Sequence, residues 1–354
     1  MRPLTAQINL THLKHNYQLL KQLHGSRLLA VLKANAYGHG AVQCAKALAD
    51  MADGFAVACI EEAIELRMSG INNPIVLLEG VFEPQEYALI DQYTLWPVIQ
   101  SQYQLDHFLA YDWQEPVHVW LKMDSGMSRA GFFPQDYADA YTQLKQSPHV
   151  QQITKMTHFA RADEPELSMT DEQIERFDQV CQHLEGDESL ANSAAILSCQ
   201  KAHRQWGRGG LALYGLSPLI SGGNFGLKPV MSLSTKVFGV RELKAGVPIG
   251  YGATYVTEQN TKVGLIACGY ADGYPRLAST DSPVLIDGQL SRIIGRVSMD
   301  MITVELTHIQ GAGIGSHVEL WGEQLSIHDI AKQAGTLAYE LLCHVKRAKF
   351  IYLD

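Results

Sequence analysis

From its start to about residue 215 the chain alternates short apolar runs with longer amphipathic stretches. The runs "RLLAVLK" (27–33), "GFAVACI" (54–60), "PIVLLEG" (74–80), "LWPVI" (95–99), "VHVWLKMD" (117–124) and "ITKMTHF" (153–159) are largely apolar at consecutive positions. Two weaker runs, "LANSAA" (190–195) and "GLALYG" (210–215), are placed partly by their position in the rhythm. Between them, stretches such as "HGAVQCAKALADM" and "CIEEAIELRMSG" repeat apolar residues at helical spacing. Strands that are apolar on both faces suit a parallel sheet covered by helices. Eight such units predict an α/β fold of the (β/α)8 barrel type.

After "LSPLISGGNFGLKPV" the texture changes. From 231 onward short runs follow one another, among them "SLSTKVFGVREL", "KVGLIACGY", "SPVLIDGQL", "RIIGRVSMDMITVEL" and "SHVELWG", separated by turn signals such as Asp287-Gly288. A helix-like piece, "IHDIAKQAGTLAYELLCHV", comes last. The expected organisation is a barrel over 1–228 and a mainly-β domain over 229–354, divided at Lys228-Pro229, with no internal repeat.

Composition narrows the function classes. A net charge of −9 over 354 residues argues against a nucleic-acid partner, which normally meets a basic face. The first residues lack the apolar core of a signal peptide, and no run approaches 18 apolar residues, so neither export nor a membrane span is expected. The six cysteines form no C-x-x-C pair. They read as reduced thiols of a cytoplasmic protein, not as a disulfide or metal framework.

In a (β/α)8 barrel the chemistry sits where the strands end. Lys33 closes the first run, with Tyr37 on the loop after it; Lys122 closes the fifth, followed by Arg129 in "SGMSR". His158 closes the sixth, with Asp163 beyond; Asn192 and Ser193 lie in the seventh, and Arg208 precedes the eighth beside Gly210 and Leu211. Singly, each has a plainer account: Lys33 as a solvated strand end, His158 as a core histidine, Ser193 as a helix cap, "GRGG" as any tight turn. Together they place an amine, an imidazole, a hydroxyl and a guanidinium at one barrel mouth. A serine hydroxyl beside backbone N–H groups of a glycine turn makes a phosphate cradle. A lysine offers an amine that condenses with an aldehyde. One small molecule carrying both phosphate and aldehyde is pyridoxal 5'-phosphate.

"VLKANAYGHG" closely resembles the cofactor-lysine motif of the alanine racemases, pyridoxal-phosphate enzymes of fold type III. Similarity continues in order through "LKMDSGMSRAGF", "THFARADE", "NSAA", "GRGGLALYGLSP", "PIGYGATY", "GYADGYPR" and "GRVSMDM". The resemblance implies that Lys33 holds the cofactor and serves as the base for the D-enantiomer. It implies that Tyr251 serves the L-enantiomer from the opposite face, reaching in from the partner subunit of a homodimer. Arg208 would face the pyridine nitrogen, oriented by His158. A guanidinium there, always protonated, would leave that nitrogen unprotonated and curb side reactions. Arg129 would reach the cofactor's phenolic oxygen and the substrate carboxylate, held by Lys122 in carbamylated form. Ser193, Gly210, Leu211 and Tyr37 would bind phosphate, with Asn192 beside them. The Met299 N–H would meet the substrate carboxylate. Asp163, Tyr270, Arg276 and Arg296 would line the access corridor.

In one place the sequence departs from some members, which carry a tyrosine near the phosphate after "YE--C". Here Lys346 and Arg347 stand there, so Arg347 is expected either to replace that contact or to face solvent. A decarboxylase of the same barrel is disfavoured by Arg208 where an acidic partner would be needed. A single-barrel cofactor carrier is disfavoured by the β domain with its Tyr251. The expected activity is interconversion of L- and D-alanine, supplying D-alanine for peptidoglycan or consuming it. A racemase of another small amino acid such as serine is the alternative.

Overall fold

The structure, a computed structural model, describes residues 2–278 and 280–354. The chain forms two compact units. One comprises His12–Ala36 and Gly40–Lys228; the other comprises Pro229–Asp354 together with Tyr37–His39 and the N-terminal segment up to Thr11.

Eight parallel strands build the first unit, in the order Arg27–Val31, Gly54–Val57, Ile75–Leu77, Trp96–Ile99, Val117–Lys122, Val150–Met156, Glu188–Ser189 and Trp206–Gly209. Each of the first six pairs with its successor, ending at Glu188–Ser189, and the eighth returns to pair with the first. The seam between the seventh and eighth is bridged by the Arg208 N–H to Ala191 O at 3.0 Å. The result is a nearly closed (β/α)8 barrel. Four of its strands are buried at every position, because helices cover one face and the barrel interior fills the other. Helices such as Pro134–Gln146 and Met169–Cys181 turn only one stripe inward, including Tyr137, Leu144, Ile174 and Phe177.

Two boundaries differ from expectation. "LANSAA" is not a strand: the strand is the preceding pair Glu188–Ser189, and Asn192 caps the helix Ser193–Ser198 by accepting the Ala195 N–H at 3.0 Å. "GLALYG" is a 3-10 turn, Leu211–Tyr214, and the eighth strand is Trp206–Gly209, so Arg208 lies on that strand and not before it. Alanines and an asparagine cap favour helix initiation over extension.

The second unit is mainly β. Its spine is the strand Met231–Leu243, which pairs antiparallel with Thr5–Asn9 and His317–Trp321 in its first half and with Thr261–Ile266 in its second. Lys349–Leu353 adds to Thr5–Asn9 in parallel, and Ile302–Glu305 adds to Thr261–Ile266. The C-terminal helical piece is two helices, Ile327–Ala334 and Ala338–His344, divided by Gly335 in a left-handed cap at φ 64°. Among the described residues no helix is long and apolar enough to cross a membrane.

Candidate active site

Lys33 stands just past the first barrel strand, and the backbone leading to it is held from both sides. The Leu32 N–H donates to Ala56 O at 2.8 Å, and the Tyr214 hydroxyl donates to Val31 O at 2.7 Å. The next four residues do something rare for non-glycine chains. Ala34, Asn35, Ala36 and Tyr37 have φ of 52°, 53°, 55° and 50°, a left-handed turn. Left-handed helical backbone costs roughly 1–2 kcal/mol per L-residue, so the surroundings must impose it. Glu62 Oε1 accepts the Ala34 N–H at 2.7 Å, Asn35 Oδ1 accepts the Ala41 N–H at 2.8 Å, and Asn35 O accepts the Gly40 N–H at 3.0 Å. Such strain is held where the direction of a side chain matters, and here it begins one residue after the lysine.

Around the same strand ends the barrel gathers positive charge. Lys122 is 8% exposed, and its amine is pushed down to about 8, first by burial, then by Arg129 and Arg208, with Lys33 adding and Asp124 opposing. His158 is held well below the usual imidazole range by burial and then by Arg208, Arg129, Lys122 and Lys33. Lys122 and His158 both feel Lys33, Arg129 and Arg208, so these five groups gather into one electrostatic cluster. Arg129 rides an exposed loop closed at its neck by Phe132 N–H to Lys122 O and Asp124 N–H to Phe132 O, both 2.9 Å.

Arg208 is 4% exposed, and the partners of its guanidinium are neutral. Nη1 donates to Ser189 O (2.8 Å) and Oγ (2.7 Å); Nη2 donates to Thr157 O (2.9 Å), Leu190 O (3.2 Å) and His158 Nδ1 (3.2 Å). Burial pushes its pKa down to about 10. By accepting that last bond, His158 Nδ1 carries no proton, in keeping with a neutral ring.

Beside this cluster Ser193 Oγ accepts the N–H groups of Gly210 (2.7 Å) and Ala212 (3.3 Å), so a hydroxyl and backbone donors converge next to the start of the turn at Leu211. Asp163 is half-buried, and its carbonyl accepts the Ile220 N–H at 3.1 Å. Among the described residues no three His, Cys, Asp or Glu side chains are arranged to hold a metal ion.

The remaining expected site residues belong to the second unit. Tyr251 is 70% exposed on a short turn, Tyr251–Ala253, flanked and crossed by Gly250 and Gly252 with φ of 72° and 73°. Arg296 lies over this turn: a Cβ added at Gly252 would stand 3.0 Å from Arg296 Nη1. Tyr270 and Met299 sit on two segments joined by Tyr270 N–H to Ser298 O (3.1 Å) and Ala271 N–H to Met299 O (3.0 Å). Arg276 is exposed and shares a cleft with Tyr270, His344 and Lys346. Tyr37 also belongs here. Its hydroxyl is held in the protonated form, raised first by burial, then by Tyr339 and Cys343.

Tyr339 was not singled out by the sequence. Its ring centroid lies 6.1 Å from that of Tyr37. The signal was an aromatic in the first turn of the helix Ala338–His344, 38% exposed where the buried stripe is carried by Ala338, Leu341 and Leu342. Arg347, by contrast, is an ion-pairing residue: Nη2 donates to Asp300 Oδ1 at 2.8 Å, and Nε lies 3.5 Å from Asp272 Oδ1.

Buried histidines of the barrel give a pH prediction. His24 and His118 are each pushed down to about 4 by burial foremost; for His24 the neighbouring His203 adds to this, and for His118 Asp187 partly opposes it. Between about pH 6.5 and about 4 the unfolded chain takes up protons that the folded chain refuses, so stability is intact above that window and is lost as pH falls through it. Urea unfolding should show a loss on the order of 2 kcal/mol per histidine. His118→Gln should flatten part of that slope; an unchanged slope would refute the assignment.

A (β/α)8 barrel with a cationic strand-end cluster, followed by a mainly-β domain, defines a class of barrel enzyme. Profiles of the alanine racemase N-terminal and C-terminal domains match residues 8–218 and 230–352. The alanine racemase of Neisseria meningitidis serogroup C is 61% identical over 354 residues, covering 100% of both chains. The biosynthetic alanine racemase from Pseudomonas aeruginosa superposes with a TM-score of 0.97 at 45% identity, covering 100% of both chains. The alanine racemase from Bartonella henselae, solved with covalently bound pyridoxal phosphate, superposes with a TM-score of 0.92 at 28% identity over 100% of both chains. The chain belongs to the alanine racemase family, and it is an isomerase, an amino-acid racemase.

Proposed function

We propose that this racemase interconverts L- and D-alanine with pyridoxal 5'-phosphate held at the barrel's strand ends, using Lys33 and Tyr251 of the partner subunit as its two bases in a homodimer. The observation that carries the reading is the positive field of Lys33, Arg129 and Arg208, which acts on both Lys122 and His158 and which Asp124 opposes at Lys122. Such a cluster favours anions, and the ligands in question bring a phosphate, a phenolate and a carboxylate. The donors present fit that cofactor. Ser193 and the N–H groups of Gly210 and Leu211 would hold the phosphate, with Asn192 setting the local helix start and Tyr37 adding its hydroxyl.

Arg208 would face the ring nitrogen. Its guanidinium keeps its protons, and His158 with Ser189 fixes its plane. When bound, the cofactor supplies the electron sink that makes the α-proton of an attached amino acid removable. The chain moves that proton. Lys33 would take or return it on one face and Tyr251 of the partner subunit on the other. Arg129 and the Met299 N–H would orient the substrate carboxylate. Asp163, Tyr270, Arg276 and Arg296 would limit side-chain size on the way in.

Lys122 fits a carbamate. An amine near 8 is partly uncharged at neutral pH, and only the uncharged amine adds carbon dioxide. With 13C-bicarbonate, a carbamate carbon signal absent from Lys122→Arg is expected; equal signals in both would remove this role.

Purified protein supplied with pyridoxal 5'-phosphate should take L-alanine to an equal mixture of enantiomers by chiral chromatography and process L-serine more slowly. Faster turnover of serine than of alanine would favour the other substrate. The D-alanine so made would feed peptidoglycan, or the reverse flux would remove it.

A further inference from the structure

Two arginines from opposite ends of the chain converge beneath the segments that carry Tyr270 and Met299. Asp272 is buried, its side chain fully so. Its carboxylate accepts the Gly269 N–H at 2.8 Å, pairs with both terminal nitrogens of Arg2 and lies 3.5 Å from Arg347 Nε; its backbone carbonyl accepts the Lys346 N–H at 2.9 Å. Asp300 is held by the same two arginines. Arg2 Nη2 donates to its carbonyl at 2.9 Å, and Arg347 Nη2 donates to its carboxylate at 2.8 Å. The four charges balance. Asp272 closes the turn Tyr270–Asp272, and Asp300 follows Met299. Gly269 leaves no slack between the segments, since an added Cβ would collide with the carbonyls of Ser298 and Met299.

We propose that Arg2 and Arg347, acting through Asp272 and Asp300, are positioning residues that set the spacing between Tyr270 and the Met299 N–H, and so tune substrate affinity and selectivity. This rests on the reading that Met299 meets the substrate carboxylate and Tyr270 lines its approach. Arg347 is half-exposed, as is Asp300, whereas Asp272 is not. Loss of Arg347 therefore loosens the clamp and leaves the buried Asp272–Arg2 pair in place, while loss of Arg2 exposes a buried carboxylate to incomplete pairing.

The test uses holoenzyme, comparing wild type with Arg347→Ala, Arg347→Lys and Asp300→Asn. Arg347→Ala should raise KM for alanine roughly 3- to 10-fold and shift the alanine-to-serine ratio, with kcat per cofactor-loaded subunit changed less than about 2-fold. Arg347→Lys should recover part of the loss. High salt should raise KM in wild type but little further in Arg347→Ala, because the half-exposed pair is screened. An unchanged KM accompanied only by a lower Tm or lower cofactor loading means a merely structural role and overturns the proposal. If Arg347→Ala does not fold, Arg347→Lys, Asp300→Asn and the salt series decide it. Hydrogen exchange supplies a readout independent of catalysis: the Tyr270 and Ala271 amides should exchange faster in Arg347→Ala, and equal rates overturn the proposal. A wild type that racemises no alanine yet shows faster exchange in the variant would strike the functional reading and leave the clamp standing.

Discussion

Lys33→Ala is expected to lower racemisation by at least about 10⁴-fold, because one substitution removes both the covalent attachment for the cofactor and one of the two bases. The left-handed turn after Lys33 and the Glu62 bond to Ala34 hold the backbone that carries this lysine, so no other lysine is expected to inherit the role. Lys122 is the nearest alternative in kind, but it is buried among cations and bonded to Gln100 Oε1 at 3.3 Å. Phosphate anchoring through Ser193 and Gly210 should survive, so the variant should still bind the cofactor, now reversibly. Small primary amines such as methylamine should restore part of the activity. A variant that keeps more than about one hundredth of wild-type turnover would show that Lys33 is neither anchor nor base.

Tyr251→Phe is expected to lower racemisation by 10²- to 10⁴-fold in both directions, since inversion needs a base on each face. Proton exchange should be lost unequally. In deuterated solvent the variant should exchange the α-proton of D-alanine, which Lys33 can reach, and fail with that of L-alanine. A free phenol ionises near 10, so a tyrosine base works near neutral pH only where neighbouring cations favour the phenolate. Equal exchange of both enantiomers would point to one mobile base on one face. The same pair tests the shared site. Lys33 and Tyr251 belong to different compact units, so mixing inactive Lys33→Ala with inactive Tyr251→Phe should regenerate one intact site per heterodimer. No recovery after verified subunit exchange would contradict it.

The barrel was legible because its first five strands run largely apolar at consecutive positions, a pattern that suits a covered parallel sheet. The seventh and eighth strands were not. Glu188–Ser189 is two polar residues, and Trp206–Gly209 contains two glycines and the buried Arg208. Thr5–Asn9 and Lys349–Leu353 also escaped notice. Their ladders join positions hundreds of residues apart, such as Thr5 with Ser234 and Thr5 with Lys349, and local pattern carries no trace of such partners. Motif order pointed to Lys33, Arg208 and Ser193 individually. The left-handed run from Ala34 to Tyr37 was invisible, as alanine has no preference for that backbone. The pairing of Arg347 with Asp300 and Asp272 was equally hidden, since a surface arginine near a chain end looks the same whether it clamps or floats.

Lys33 is proposed as the amine that carries the cofactor. Borohydride reduction of the wild-type holoenzyme makes that attachment permanent, and peptide mapping by mass spectrometry then locates it. A single modified peptide containing "VLKANAYGHG" is expected, with the added mass on Lys33 and loss of activity in step with labelling. A label on Lys122 or any other lysine, or full labelling of Lys33 with activity retained, would contradict it.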